Sequence, residues 1–243
     1  MRERAEHEIQ HGEFLAGGDT EHIWGWGTPA GRIRASRRAK LIELGAQLGP
    51  DSHVLEIGCG TGMFTEMFAQ TGCSIIAVDI SAALLRKAEA RKLTKGKVHF
   101  IQRRFEECNV DGPFDAVVGS SILHHLELRD ALPRIYELLR PNGIMSFAEP
   151  NMLNPQVFAE RKLRRLFPSV SPDETAFVRW TLGSDLQKTG FQDIEIVPFD
   201  WLHPSVPKPL IGVVSSIGSV IERVPLLREF SGSMHIKAVR SSN

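Results

Sequence analysis

The sequence predicts an α/β protein: a mostly parallel sheet with crossover helices on both faces. Three observations carry that expectation. From Asp51 to Asn151, short apolar runs alternate with segments of helical period, the pattern of strands joined by crossover helices. One of these strands runs straight into a glycine turn, Gly58-Cys-Gly-Thr-Gly62, which opens a helix. The next strand ends in an acid, Asp79, at about the twenty-residue distance typical of nucleoside-binding folds.

The predicted strands are His53–Gly58, Ser74–Asp79, Lys97–Gln102, Phe114–Ser120 and Gly143–Glu149. Helices over Gly62–Gln70, Ala82–Lys92 and Leu128–Leu139 join them, the last stopped by Pro141-Asn-Gly143. A further helix, Leu182–Thr189, ends at Gly190 and feeds a strand, Phe191–Pro198; a final strand covers Met234–Arg240. Residues 1–50 fall outside this pattern. A Gly/Trp-rich segment, His22-Ile-Trp-Gly-Trp-Gly-Thr-Pro29, precedes a basic helix from Arg32 to Leu48, and together they read as a helical flap before a domain over 51–243. Two insertions, 152–179 and 199–231, flank the sixth strand. They leave from the carboxyl-end rim, where open α/β sheets bind ligands, so they are expected to supply a lid and an acceptor pocket. Pro209–Ile221, apolar on most faces as a helix, is expected to cover an apolar pocket, with a dimer contact or a membrane surface as alternatives.

Composition narrows the setting. Lys+Arg and Asp+Glu stand at 29 each in 243 residues, which leaves no global field to attract nucleic acid or a membrane. Cys59, Cys73 and Cys108 form no C-x-x-C pair, and the charged start, Met1-Arg-Glu-Arg4, lacks the apolar core of a secretion signal. A reduced, cytoplasmic setting is expected. Leu210–Ile221 is too short to span a bilayer. Both a monomer and a homodimer stay open.

The glycine turn suits a cationic, phosphate-free nucleoside better than NAD. A dinucleotide fingerprint requires a third glycine where Met63 stands. Glu56, two residues before the turn, would repel a pyrophosphate and attract an amino group.

The run Glu56-x-Gly58-x-Gly60-x-Gly62, followed by a strand ending at Asp79, resembles the class I S-adenosylmethionine-dependent methyltransferases of the broad bacterial small-molecule group. The resemblance implies a Rossmann-like, seven-stranded, mostly parallel sheet with helices on both faces and an antiparallel C-terminal strand, and S-adenosylmethionine as cofactor. It assigns Glu56 to the methionine amino group, and Gly58, Cys59 and Gly60 to close backbone approach. Asp79 is assigned to the ribose hydroxyls, Ile80 to one adenine face, and Ser120 to the methionine moiety. The chain departs from the group after the third strand, where an acid usually accepts from the adenine amino group and Arg104 stands instead. Adenine recognition then passes to the backbone near Phe105, to Glu106, or to Arg104 stacked on the purine.

Methyl transfer requires in-line positioning and exclusion of water, with a base only where the acceptor carries a proton. His124 and His125, in Ser120-Ser-Ile-Leu-His-His125, are the candidate bases; packing on the cofactor and capping the next helix are the alternatives. In ubiquinone-type O-methyltransferases a similar segment carries two glutamates and a histidine. Here Ser121 and His124 replace the glutamates, so no metal is expected. Glu149 is a candidate to orient the acceptor or to bond a loop backbone. Trp24 and Trp26 are candidate flap residues over cofactor or acceptor, where indoles stabilise a sulfonium, or they pack beside the sheet. Asp200, Trp201 and His203 are candidates to face the acceptor, and the basic turn Glu160–Arg165 to bind an anionic one.

The expected activity is O-methylation of a small, apolar, natural-product-like molecule, with lipid-like or anionic character. N- or C-methylation, a macromolecular acceptor and a non-catalytic binding module are the alternatives. Balanced charge, and Gly119-Ser-Ser-Ile122 in place of an Asn-Pro-Pro-Tyr motif, count against nucleic acid.

Overall fold

The structure, a computed structural model, describes residues 2–91, 93, 97–162 and 176–242. Seven strands form one sheet: β1 His53–Ile57, β2 Ser74–Asp79, β3 Lys97–Gln102, β4 Phe114–Ser120, β5 Leu139–Pro150, β6 Phe191–Phe199 and β7 Ser233–Arg240. Their order is β3-β2-β1-β4-β5-β7-β6. Neighbours from β3 to β5 run parallel, and β7 lies antiparallel between β5 and β6, leaving β6 at the edge.

Strand periodicity explains why the runs are apolar almost throughout. Leu55 and Ile57 of β1 enter one core with Leu132, Ile135, Leu182 and Leu186. Val54 enters the opposite core with Ile42, Phe68 and Leu85. Helices cover both faces of the sheet, so both alternating sets are buried. The first core is covered by α6 Leu128–Leu138 and α8 Arg179–Thr189, the second by α3 Pro29–Gly45, α4 Met63–Ala69 and α5 Ala82–Glu89.

Helix ends follow local chemistry. Ser81 Oγ accepts from Leu84 N at 3.3 Å to start α5. Thr28 Oγ1 accepts from Gly31 N at 3.0 Å, and Pro29 fills the first turn, so α3 begins before the expected Arg32. It also stops at Gly45 rather than Leu48. Gly190, at φ 105°, closes α8. Strand β5 starts at Leu139 rather than Gly143: Leu139 pairs with Phe114, and a register shift carries the pairing on to Ala116–Ile144.

Helix α1, Arg2–Ala16, packs on α5, with α2, Thr20–Ile23, following it. Its approach is close: a Cβ on Gly12 would stand 2.6 Å from Ser81 Oγ. Among the described residues the insertions carry α7 Pro155–Lys162, α9 Ile211–Ile221 and α10 Pro225–Arg228. Strand order reverses between β1 and β4, and the crevice beyond their carboxyl ends is the place for a ligand.

Candidate functional site

A cavity of about 440 Å³ occupies that crevice. Gly58, Cys59 and Gly60 line it from the β1 turn, and Asp79 and Ile80 from the end of β2. Arg104 and Phe105 follow β3, and Ser120, His124 and His125 follow β4. Trp24 and Trp26 line it from the N-terminal segment, beside Glu8, Gly12 and Leu15 of α1. Glu160 and Arg161 of α7 belong to it too, whereas residues 163–165 of the basic turn lie outside the described residues.

The turn holds its shape through left-handed glycines. Gly58, Gly60 and Gly62 sit at φ 67°, 53° and 74°. A Cβ on Gly58 would stand 2.4 Å from Ile122, so a larger residue meets both strain and a clash. Trp24 stands over the turn, its Cη2 3.1 Å from where a Gly60 Cβ would lie. Asp79 braces the same loop: Oδ2 accepts from Gly60 N at 2.7 Å and Oδ1 from Ser81 N at 2.8 Å. Burial raises the Asp79 carboxyl above its usual range, against those two amides and His125. Burial likewise holds the Cys59 thiol well above its usual range, so it stays protonated.

Glu56 does not line the cavity. It is buried behind the turn, and its Oε2 has no hydrogen-bond partner among the described residues. Burial pushes its carboxyl up to about 8, with Thr65 pulling the other way.

Of the two roles expected for Glu149, acceptor contact and a bond to a loop backbone, the structure shows the second. The side chain is fully buried and does not reach the cavity; it organises the turn that does. Its Oε1 accepts from Ile122 N and Leu123 N, both at 2.9 Å, and Oε2 lies 2.6 Å from His124 Nδ1. Burial works to raise this carboxyl, but His124 and the two amides outweigh it and hold it below the usual range. An ionised carboxylate only accepts, so Nδ1 carries a hydrogen, and in the neutral imidazole Nε2 then holds the lone pair. His125 packs on His124 with ring centroids 4.2 Å apart, and its Nδ1 lies 3.0 Å from Glu8 Oε2.

His203 corrects an expectation. It stands in an exposed loop, 2.9 Å from Gln156 Nε2, and does not line the cavity. The same holds for Asp200, Trp201 and every other residue of 199–231, so this insertion is not the cavity's lid. It packs on α3 instead: Arg34 Nε binds Asp200 Oδ2 at 2.7 Å, and Arg37 grips Glu222 with both nitrogens.

Arg38 escaped the sequence reading. It shares the buried α3 face with Ala35, Ala39 and Ile42, a spacing that marks it as interior. Nη1 donates to Ser121 Oγ at 2.8 Å and to Ala148 O at 2.9 Å; Nη2 donates to Ser233 Oγ at 2.5 Å. Its guanidinium carbon and that of Arg34 each lie 5.3 Å from the Trp26 ring centroid. Burial, then Arg34, lowers its pKa to about 10. Arg38→Ala removes that desolvation cost but leaves a void and takes the donor from the Ser121 and Ser233 hydroxyls, while Ala148 O keeps Ser121 N. A net loss of about 2 kcal/mol is expected, read as a lower urea midpoint.

Comparison with known proteins agrees with this geometry. Residues 54–143 match a family model described as a methyltransferase domain. Nodulation protein S of Sinorhizobium fredii is 25% identical over 126 residues, 50% of this chain and 58% of that protein. A malonyl-[acyl-carrier protein] O-methyltransferase of Magnetococcus marinus is 38% identical over 99 residues, 39% of this chain and 37% of that one. The matched region thus spans less than two thirds of either relative. The crystal structure of N-methyltransferase NodS from Bradyrhizobium japonicum WM9, in complex with S-adenosyl-L-homocysteine, superposes with a TM-score of 0.65. That match is 19% identical and covers 96% of this chain and 98% of the other, a likeness of fold. The glycine turn, Asp79 and the strand-order reversal thus meet in one crevice inside the region, residues 54–143, that matches a methyltransferase domain.

Proposed function

We propose that the protein transfers the methyl group of S-adenosylmethionine to a small-molecule acceptor, with an oxygen nucleophile as the first choice. The observation that carries this reading is the meeting of the glycine turn, Asp79 and the His124–Glu149 pair around one cavity. The residues present fit the cofactor. Glycines with positive φ admit it closely, Asp79 offers carboxylate oxygens, and the unpartnered Glu56 oxygen is a buried anion in waiting. When bound, S-adenosylmethionine supplies a methyl group already activated on a sulfonium.

The chain's own residues then have three tasks. Asp79 and the turn hold the nucleoside end, while Glu56 provides negative charge behind the methionine end. Trp24, Trp26 and α1 keep water out and offer aromatic faces to a cation. His124 accepts the acceptor's proton at Nε2, and Glu149 fixes the ring and its tautomer. That proton transfer favours oxygen acceptors, since a neutral amine reacts without a base.

Calorimetric titration with S-adenosylmethionine and S-adenosylhomocysteine tests the reading, followed by an assay of labelled methyl transfer to phenolic, alcoholic and amine acceptors. Failure to bind either ligand would sink it. The pH dependence is specific. With its pKa raised to about 8, Glu56 is largely protonated in the free protein at neutral pH. A cation beside it favours the ionised form, so binding releases up to one proton, and affinity rises as pH climbs toward about 8. Binding enthalpies should therefore differ between Tris and phosphate buffers, and Glu56→Gln should abolish the difference.

A further inference from the structure

The insertion 199–231, away from the cavity, leaves much of its apolar surface in solvent. Sixteen large hydrophobic side chains are exposed among the described residues, and eight of them lie between Leu210 and Phe230. Leu210, Val213, Ile217 and Val220 follow the alternating three-four spacing of one helical stripe on α9; Val224, extended between the helices, and Leu226 and Leu227 of α10 add further exposed apolar side chains. The opposite side of α9 is fixed to the body: Ile211 is buried, and a Cβ on Gly218 would stand 2.9 Å from Trp201 Cβ. A monomer seldom leaves so continuous an apolar face in water.

Charge decides what covers it. The acids beside the stripe turn inward: Glu222 binds Arg37 and accepts from Asp200 N at 2.9 Å, and Glu229 lies 2.8 Å from Arg179. Lys208 and Arg223, just beyond the two ends of α9, are exposed, and among the described residues neither has an acidic partner. Packing α9 on its copy about a two-fold axis would bring cation against cation at both ends, whichever way the helices ran. An anionic surface complements the same arrangement. With 11 residues, α9 is far short of the roughly 20 needed to cross a bilayer, so its place is in the interfacial plane. Trp180, 58% exposed, stands beside this face, because the Arg179 that pairs with Glu229 lies 5.0 Å from its ring. Indoles favour headgroup depth.

We propose that α9 and α10 form a docking surface for an anionic lipid bilayer, the stripe seated among acyl chains and Lys208 and Arg223 at the headgroups. Helix α7 links this face to the cavity. Asn154, just before it, donates to Phe230 O at 2.8 Å, and Arg161 near its far end lines the cavity. Docking therefore brings the cavity within one short helix of the bilayer, the position from which a membrane-dissolved acceptor would be reached. The docking itself stands apart from the methyl-transfer reading.

The test is sedimentation of the full chain with phosphatidylcholine vesicles containing phosphatidylglycerol, against pure phosphatidylcholine vesicles. Co-sedimentation with the anionic vesicles, weakened by salt, is expected. Ile217→Ser with Val220→Ser should weaken it by about ten-fold or more. Lys208→Glu with Arg223→Glu should do the same. Both pairs leave the thermal melt in place, since the altered side chains are exposed. Three results would overturn the proposal: no preference for anionic vesicles, binding by either variant as tight as that of the unaltered chain, or a dimer in light scattering that Ile217→Ser with Val220→Ser converts to monomer. The last would assign the face to a second copy of the chain.

Discussion

Asp79→Ala is expected to weaken S-adenosylhomocysteine binding by about 100- to 10,000-fold. Two hydrogen bonds from ligand hydroxyls to one carboxylate, at about 1.5–3 kcal/mol each, set that range. Part of the loss is indirect, because the same carboxylate accepts from Gly60 N and Ser81 N and so shapes the turn. Asp79→Asn separates the two contributions. It keeps one amide acceptor for the loop but halves the oxygens available to the ligand, so its melting temperature should stay closer to wild type than its affinity does. Unchanged affinity in Asp79→Ala would remove Asp79 from the site and with it the assignment of the nucleoside end.

For Glu149→Gln, kcat is expected to fall by about 100- to 10,000-fold with the acceptor found in the transfer assay, while S-adenosylhomocysteine affinity holds. The carboxylate lies 2.6 Å from His124 Nδ1 and is fully buried, so its charge is the fixed reference for the imidazole. Glutamine keeps the shape but presents a neutral amide, whose NH2 would favour the wrong tautomer of His124. Glu149 acts through His124 and touches no substrate, so the decisive readout is the pH–rate profile. A base role predicts that the acidic limb set by His124 flattens or moves. An unmoved profile, with loss of activity in proportion to lost stability, would reduce Glu149 to an anchor for Ile122 N and Leu123 N.

The parallel half of the fold was legible because its signals are local. Apolar strands, capped helices and the glycine turn are each written in a few neighbouring residues, and the expected boundaries of β2, β3 and β4 coincide with the observed ones. Cavity residues close to those strand ends were legible for the same reason: Gly58, Cys59, Gly60, Asp79, Ile80, Arg104, Phe105, Ser120, His124 and His125 all meet there. Beyond the strand ends the reading failed in particular ways. His203 was placed near the acceptor from chain position, yet its loop follows α3 rather than the rim. For Glu149 the sequence left acceptor contact and a loop-backbone bond open; its side chain turns back into the protein to meet two amides, as the second had it, and also an imidazole that was not expected.

By itself, then, the sequence determined the sheet, its switch point and the ring of residues around the crevice, since periodicity and turn chemistry act over short distances. Only the tertiary structure decided how Arg38 sits among β4, β5 and β7, how Glu149 sets the tautomer of His124, and which way the apolar stripe of α9 faces. Each of these depends on side chains separated by 25 or more residues, such as the Arg38–Ser233 and His124–Glu149 pairs, whose meeting is dictated by packing and not by local pattern.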